Sequence, residues 1–190
     1  MKSRLRTMIA IAATTGYLIT SPVAASANGD DIILDSLFTS LQEVTDAGDV
    51  ARITSEIWSR WSTHPDDDTL TMRLNRGVTM MNQGDYVHAE GLFSDIIDLD
   101  PDFAEAWNKR ATLYFITGQL SQSRKDIAKT LEIEPRHFGA LSGLAMIEMR
   151  FENYEAALKA YEAAAEVNPH LEEVNIMIEK LTEKLRGIAL

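Results

Sequence analysis

Apolar residues recur at helical spacing in paired segments along most of this chain, and the pairs share one frame. Trp107, Ala111, Tyr114 and Phe115 fall on one helical face, Gly118 breaks the pattern, and Leu120, Ser123 and Ile127 fall on the face of a second helix that ends at Pro135. Ser123 is the polar entry at a slot that favours a small side chain. The same order gives Leu70, Leu74, Gly77 and Met81 before Gly84, then Tyr86, Ala89 and Phe93 before Pro101. It returns as Leu141, Leu144, Ala145 and Ile147 before Glu152, then Tyr154, Ala157 and Tyr161 before Pro169. Pro101, Pro135 and Pro169 are 34 residues apart. An earlier segment carries Val50, Ile53 and Ile57 between Gly48 and Pro65, the same 17-residue step as Gly84 to Pro101. Proline cannot continue the helix before it, so each Pro closes a unit. The pattern predicts an all-α array of helix pairs.

Gly77, Ala111 and Ala145, 34 apart, are small, as a close helix crossing requires. With the Gly84-Asp85-Tyr86 turn and the Leu99-Asp100-Pro101 exit, the units resemble tetratricopeptide repeats. The resemblance implies an α-solenoid, a right-handed superhelix of antiparallel helix pairs, with repeats at 70–103, 104–137 and 138–171. Residues 28–69 read as a degenerate first repeat that caps the array: Ser40 and Leu41 depart from the pattern, and Pro65 to Pro101 is 36 residues, with the excess around Asp66-Asp67-Asp68. Residues 172–190, with Val174, Ile178, Leu181 and Leu185 on one stripe, read as a C-terminal capping helix, and 28–31 as a loose start.

The N-terminus has another composition. Lys2, Arg4 and Arg6 precede an apolar run from Met8 to Ile19, then Pro22 and the small residues through Ala25 and Ala27. This is the pattern of a signal peptide, residues 1–27, cut after Ala27, and it places the protein in a periplasm or among secreted proteins. The run is shorter than the roughly 20 residues of a spanning helix, and no later segment reaches that length, so no membrane span is expected after cleavage. The chain has no Cys. Removing 1–27 takes three basic residues and no acid, carrying the formal charge from −11 to −14. That balance argues against nucleic acid and favours a neutral or basic partner.

In the resembling family, first-helix positions that do not pack between helices face a concave groove. Here these are Met81, Phe115 and Met149, a longitudinal apolar stripe, with Val78, Thr112 and Met146, with Leu74, Asn108 and Ser142, and with Asn82, Ile116 and Arg150. Met and Phe flanked by amides and hydroxyls suit a protein or peptide segment with apolar anchors. Some members hold a C-terminal carboxylate with Lys, Arg and Asn; here Asn75, Asn108 and Lys109 are the polar candidates, and Gly139 and Gly143 stand where a third-repeat cation would be needed. Arg76 and Arg110 are expected to pair with acids between repeats.

Asp98, Asp100 and Asp102 lack the Gly and Glu offsets of a calcium loop, and His64, His88, His137 and His170 have no zinc spacing, so no metal, cofactor or catalytic group is expected. Trp58 and Trp61 lie three apart, either as core or as an exposed anchor. The reading is a noncatalytic exported binding module; the alternative is a self-assembling structural protein forming homo-oligomers through Trp58 and Trp61 or the C-terminal helix.

Overall fold

The computed structural model describes residues 29–188, which form nine α-helices and no strand. The signal peptide expected over 1–27, with its cleavage after Ala27, lies outside the described residues. An N-terminal hairpin of α1 (Gly29–Glu43) and α2 (Ala47–Ser62) precedes three repeat pairs: α3 (Asp68–Asn82) with α4 (Tyr86–Leu99), α5 (Ala104–Ile116) with α6 (Leu120–Ile133), and α7 (Phe138–Arg150) with α8 (Tyr154–Val167). The last helix is α9 (Glu172–Ile188). Residues 29–31 are the first turn of α1, not a loose start.

Local chemistry repeats with the frame. Within each pair the chain turns through a left-handed residue: Gly84 at φ 81°, Gly118 at 78° and Glu152 at 60°. The next N–H, of Asp85, Gln119 and Asn153, donates back to the carbonyls of Met80, Tyr114 and Glu148. That bond ties off the first helix and demands the left-handed conformation. Between pairs, Asp100, Glu134 and Asn168 accept the N–H two residues on, from Asp102, Arg136 and His170. The intervening Pro has no N–H with which to extend the preceding helix.

Packing follows the small residues. A Cβ on Gly77 would lie 2.5 Å from Phe93 Cε1, so α3 and α4 cross with ring against backbone. Successive pairs stack α4 on α5 and α6 on α7, and α8 receives α9, which buries Val174 and Leu181. The faces that α5 and α7 turn to the preceding pair carry Ala106 and Leu113, then Ala140 and Ile147, exposed by 0, 1, 0 and 1%.

The array does not continue N-terminally. The α3 counterparts of these residues are Met72, 63% exposed, and Thr79, also exposed, and α2 packs against α5 rather than along α3. The expected capping repeat is therefore corrected: the hairpin folds back along the turns that join the repeats. His64 Nε2 meets Asp100 Oδ2 at 2.6 Å, Trp61 stacks on His137, and Gln42 Nε2 donates to the carbonyls of Glu166 and Val167. His170 Nε2 donates to Leu41 O at 2.9 Å, and Arg136 pairs with Asp35. The physical cause is complementary. Leu34, Phe38, Leu41, Ile53, Ile57 and Trp61 need an apolar cover, and Phe138, Val167 and Leu171 supply it, whereas α3 offers Arg73, Arg76 and Thr79.

Candidate functional site

The first helices of the repeat pairs touch one another, α5 lying between α3 and α7, and so form one side of the stack. Between α5 and α7 lies a pocket of about 190 Å³. Asn108, Thr112 and Phe115 come from α5, and Gly139, Ser142, Gly143 and Met146 from α7, over the buried residues Ala111, Ser123, Ile127 and Ile147. Neither glycine on α7 projects a side chain, and a Cβ on Gly143 would lie 3.3 Å from Ile127 Cδ1 on the pocket floor. Its hydroxyls are already engaged: Ser123 donates to Ala111 O, Thr112 to Asn108 O and Ser142 to Phe138 O. What remains is a predominantly apolar recess with no charged residue in its lining.

One end of this recess meets the N-terminal hairpin. A Cβ on Gly139 would sit 2.5 Å from the Trp58 ring, so α2 reaches the pocket edge through a contact only glycine allows. Beside Trp58 and Trp61 lies a polar cluster in which Glu105, His137 and Asn108 are buried and Lys109 reaches the surface. The Ala140 N–H donates to His137 Nδ1, so the ring proton is on Nε2, which donates to Glu105 Oε2 at 3.0 Å. Asn108 Nδ2 donates to the same oxygen at 2.8 Å, and the Lys109 ammonium lies 2.8 Å from Oε1. Burial pushes the Glu105 carboxyl up, but the His137 hydrogen bond and the Lys109 charge outweigh it and hold the group below the ordinary carboxylate value.

The pocket brings together five of the residues read from sequence: Asn108, Thr112, Phe115, Ser142 and Met146. It leaves out seven. Leu74 is 1% exposed and belongs to the core, and Val78 and Met81 pack on that same core. Met149 packs on the C-terminal cluster, while Asn82, Ile116 and Arg150 are exposed, Arg150 lying over the Phe115 ring. Of the expected stripe through Met81, Phe115 and Met149, the recess takes Phe115 alone, while Met81 and Met149, half-buried, pack on the apolar clusters of α3–α5 and α7–α9.

Three further expectations change. Trp61 is 7% exposed and Trp58 half-buried, which removes them as an exposed anchor. Arg110 reaches Asp126 within its own pair, at 2.7 and 3.0 Å, and Ser94 of the preceding pair, whereas Arg76 is exposed. His64, His137 and His170, scattered in sequence, each join the N-terminal segment to a successive turn, alongside Gln42 and the Arg136–Asp35 pair. The available signal was their position beside Pro65, Pro135 and Pro169. Among the described residues no group of His, Asp and Glu is arranged to hold a metal ion, and no helix is long and apolar enough to cross a membrane.

Comparison with known proteins supplies the lineage. Tetratricopeptide repeat family models match residues 92–125 and 139–171. A TPR repeat-containing protein of Rhizobium etli is 33% identical over 183 residues, covering 90% of this chain and 89% of its own. The Hsp70-Hsp90 organizing protein of Triticum aestivum is 24% identical over 110 residues, and the match spans 58% of this chain but only 19% of that protein. Among solved structures, the first TPR of Spaghetti (RPAP3) bound to the HSP90 peptide SRMEEVD matches with a TM-score of 0.60 at 22% identity, covering 65% of this chain and 98% of that one. The Yersinia enterocolitica type III secretion chaperone SycD, in complex with a peptide of the translocator YopD, gives 0.59 at 15% identity, covering 64% and 98%. The likeness over nearly the whole of the Rhizobium protein, with the repeat geometry above, places the chain in the tetratricopeptide repeat family.

Proposed function

We propose that this chain is a noncatalytic, exported binding module that holds a protein or peptide segment against α5 and α7. The observation that carries this reading is the apolar recess of about 190 Å³ between Asn108, Thr112 and Phe115 on one side and Gly139, Ser142, Gly143 and Met146 on the other. Solved neighbours of the same fold hold peptides, among them SRMEEVD and a YopD segment. The formal charge of −11 favours a neutral or basic segment. Export is supported by the basic start, apolar run and Ala25-x-Ala27 pattern of the sequence.

The test places a photo-crosslinking amino acid at Met146, 45% exposed and in the pocket lining, in the chain expressed with its own N-terminus. A specific protein adduct in the cell envelope fraction, lost when Thr112→Trp fills the recess, is the expected result. An adduct pattern indifferent to Thr112→Trp would refute the site, and a chain retained in the cytoplasm at full length would refute export.

Self-assembly keeps one supporting observation, the uncovered end of α3, where Met72 is 63% exposed and Arg76 is also exposed. Sedimentation over a concentration series decides it. A mass that rises with concentration and is reset by Met72→Glu supports stacking of copies; a constant monomer mass removes it.

A further inference from the structure

We infer that the α5–α7 pocket takes an uncharged apolar side chain from the interior of a partner chain and rejects a free C-terminal carboxylate, because the protein's own Glu105 already occupies the donors such a carboxylate would use. The inference rests on the pocket being the binding site. Two polar side chains of α5, Asn108 and Lys109, lie where the pocket meets the hairpin, and both are directed at Glu105: the amide donates to Oε2 at 2.8 Å and the ammonium lies 2.8 Å from Oε1. His137 donates to the same carboxylate, and Trp58 lies under the Lys109 ammonium, 5.4 Å from nitrogen to ring centroid. Glu105 itself is 0% exposed, so this carboxylate is a fixed internal part of the fold.

A ligand carboxylate at this place would meet the like charge of Glu105 and polar side chains already directed at it, a poor exchange for its lost hydration. Across the recess, Gly139 and Gly143 project no side chain, and no charged residue lines the pocket. The hydroxyls of Thr112, Ser142 and Ser123 donate to carbonyls of this chain, leaving only acceptor capacity, which suits backbone N–H groups of a passing segment and not an anion. The formal charge of −11 acts in the same direction at long range. The acidic tail SRMEEVD, held by the first TPR of Spaghetti, is thus the kind of ligand this groove excludes.

The experiment uses the full chain with labelled Met methyl groups, read by NMR at Met146. The probes are SRMEEVD as free acid and as C-terminal amide, and an acetylated, amidated Gly-Ser host peptide with Leu, Phe, Lys or Asp at its centre. Saturable shifts of Met146 with the Leu and Phe peptides, about tenfold weaker for Lys and Asp, and no saturable shift with either form of SRMEEVD, are the expected results. Glu105→Gln, which keeps a hydrogen-bonding side chain but removes the resident charge, should gain binding of the free acid over the amide by about tenfold. If that variant melts early, Lys109→Met gives the second reading: its Leu-peptide binding should stay within about twofold of wild type. Free-acid SRMEEVD binding the unaltered chain better than its amide overturns the inference while leaving the pocket as a binding site. No shift of Met146 with any probe overturns the pocket itself.

Discussion

The rings of His137 and Trp61 lie face to face, with centroids 4.0 Å apart and planes 11° from parallel. His137 belongs to the turn before α7 and donates to the buried Glu105 carboxylate, and Trp61 belongs to the last turn of α2. One stacked pair thereby joins the N-terminal hairpin, a repeat turn and the edge of the α5–α7 recess.

Replacing Trp61 should free the hairpin before it harms the repeats. Trp61→Ala removes a ring 7% exposed that packs with Phe38, Trp58, His137 and Phe138, and should cost about 3–5 kcal/mol. Limited proteolysis should then cut within 29–67 while 70–188 persists. Simultaneous loss of both parts would show that the hairpin and repeats fold as one unit. Trp61→Phe should be far milder, since the indole N–H has no hydrogen-bond partner among the described residues and its removal relieves a buried orphan donor.

Gly139→Ala should disturb the same joint from the other side. The added Cβ would lie 2.5 Å from the Trp58 ring, so the ring or α2 must move, at a cost of about 1–3 kcal/mol. Tryptophan emission should shift as Trp58 gains water. Unchanged emission and unchanged stability would mean that the close approach is not held in solution.

Glu152→Gly should stabilise the protein. Glu152, at φ 60°, stands where the other turns have Gly84 and Gly118. A left-handed backbone costs a residue with a Cβ roughly 1–2 kcal/mol, partly offset by the extra freedom that glycine loses on folding. A net gain of about 0.5–1 kcal/mol is expected in urea unfolding. A loss would assign Glu152 a side-chain role that outweighs its conformation.

Acid should weaken the site through Glu105. Its carboxyl lies below the ordinary value of 4.5, so the folded chain binds fewer protons there than the unfolded chain. The stabilisation is therefore complete above that ordinary value and is lost as pH falls through the lower, folded one. Urea midpoints for wild type and Glu105→Gln should converge as pH drops from about 7 to about 3. A gap independent of pH would contradict the assignment.

Repeat chemistry was legible because it is local. Gly84, Gly118 and Pro101, Pro135 and Pro169 mark turns set by one or two residues' backbone preferences, and helical spacing marks each inward face. Of the twelve residues expected in the groove, Asn108, Thr112, Phe115, Ser142 and Met146 line the α5–α7 recess, a placement that follows from the position of a residue within its repeat. Leu74, Met81 and Met149 did not, because a position twelve or five residues into a helix can turn to the core or the groove depending on its neighbour's bulk. Met72 and Thr79, set against Ala106 and Leu113, already differed in sequence as an array end differs from an array middle.

By itself, the sequence determined an all-α chain of stacked helix pairs with Gly-marked and Pro-closed turns, because each depends on contacts within one unit or between neighbours. Only the tertiary structure decided where the N-terminal hairpin goes. Gln42 meets Glu166 across 124 positions and His170 meets Leu41 across 129, contacts that no 34-residue frame encodes. It also decided that Glu105 is an internal carboxylate, because the three groups that hold it come from one helix and a distant turn, beneath tryptophans from a third element. Burial of a charge depends on every surface that closes over it, and those surfaces meet only when the whole chain has folded.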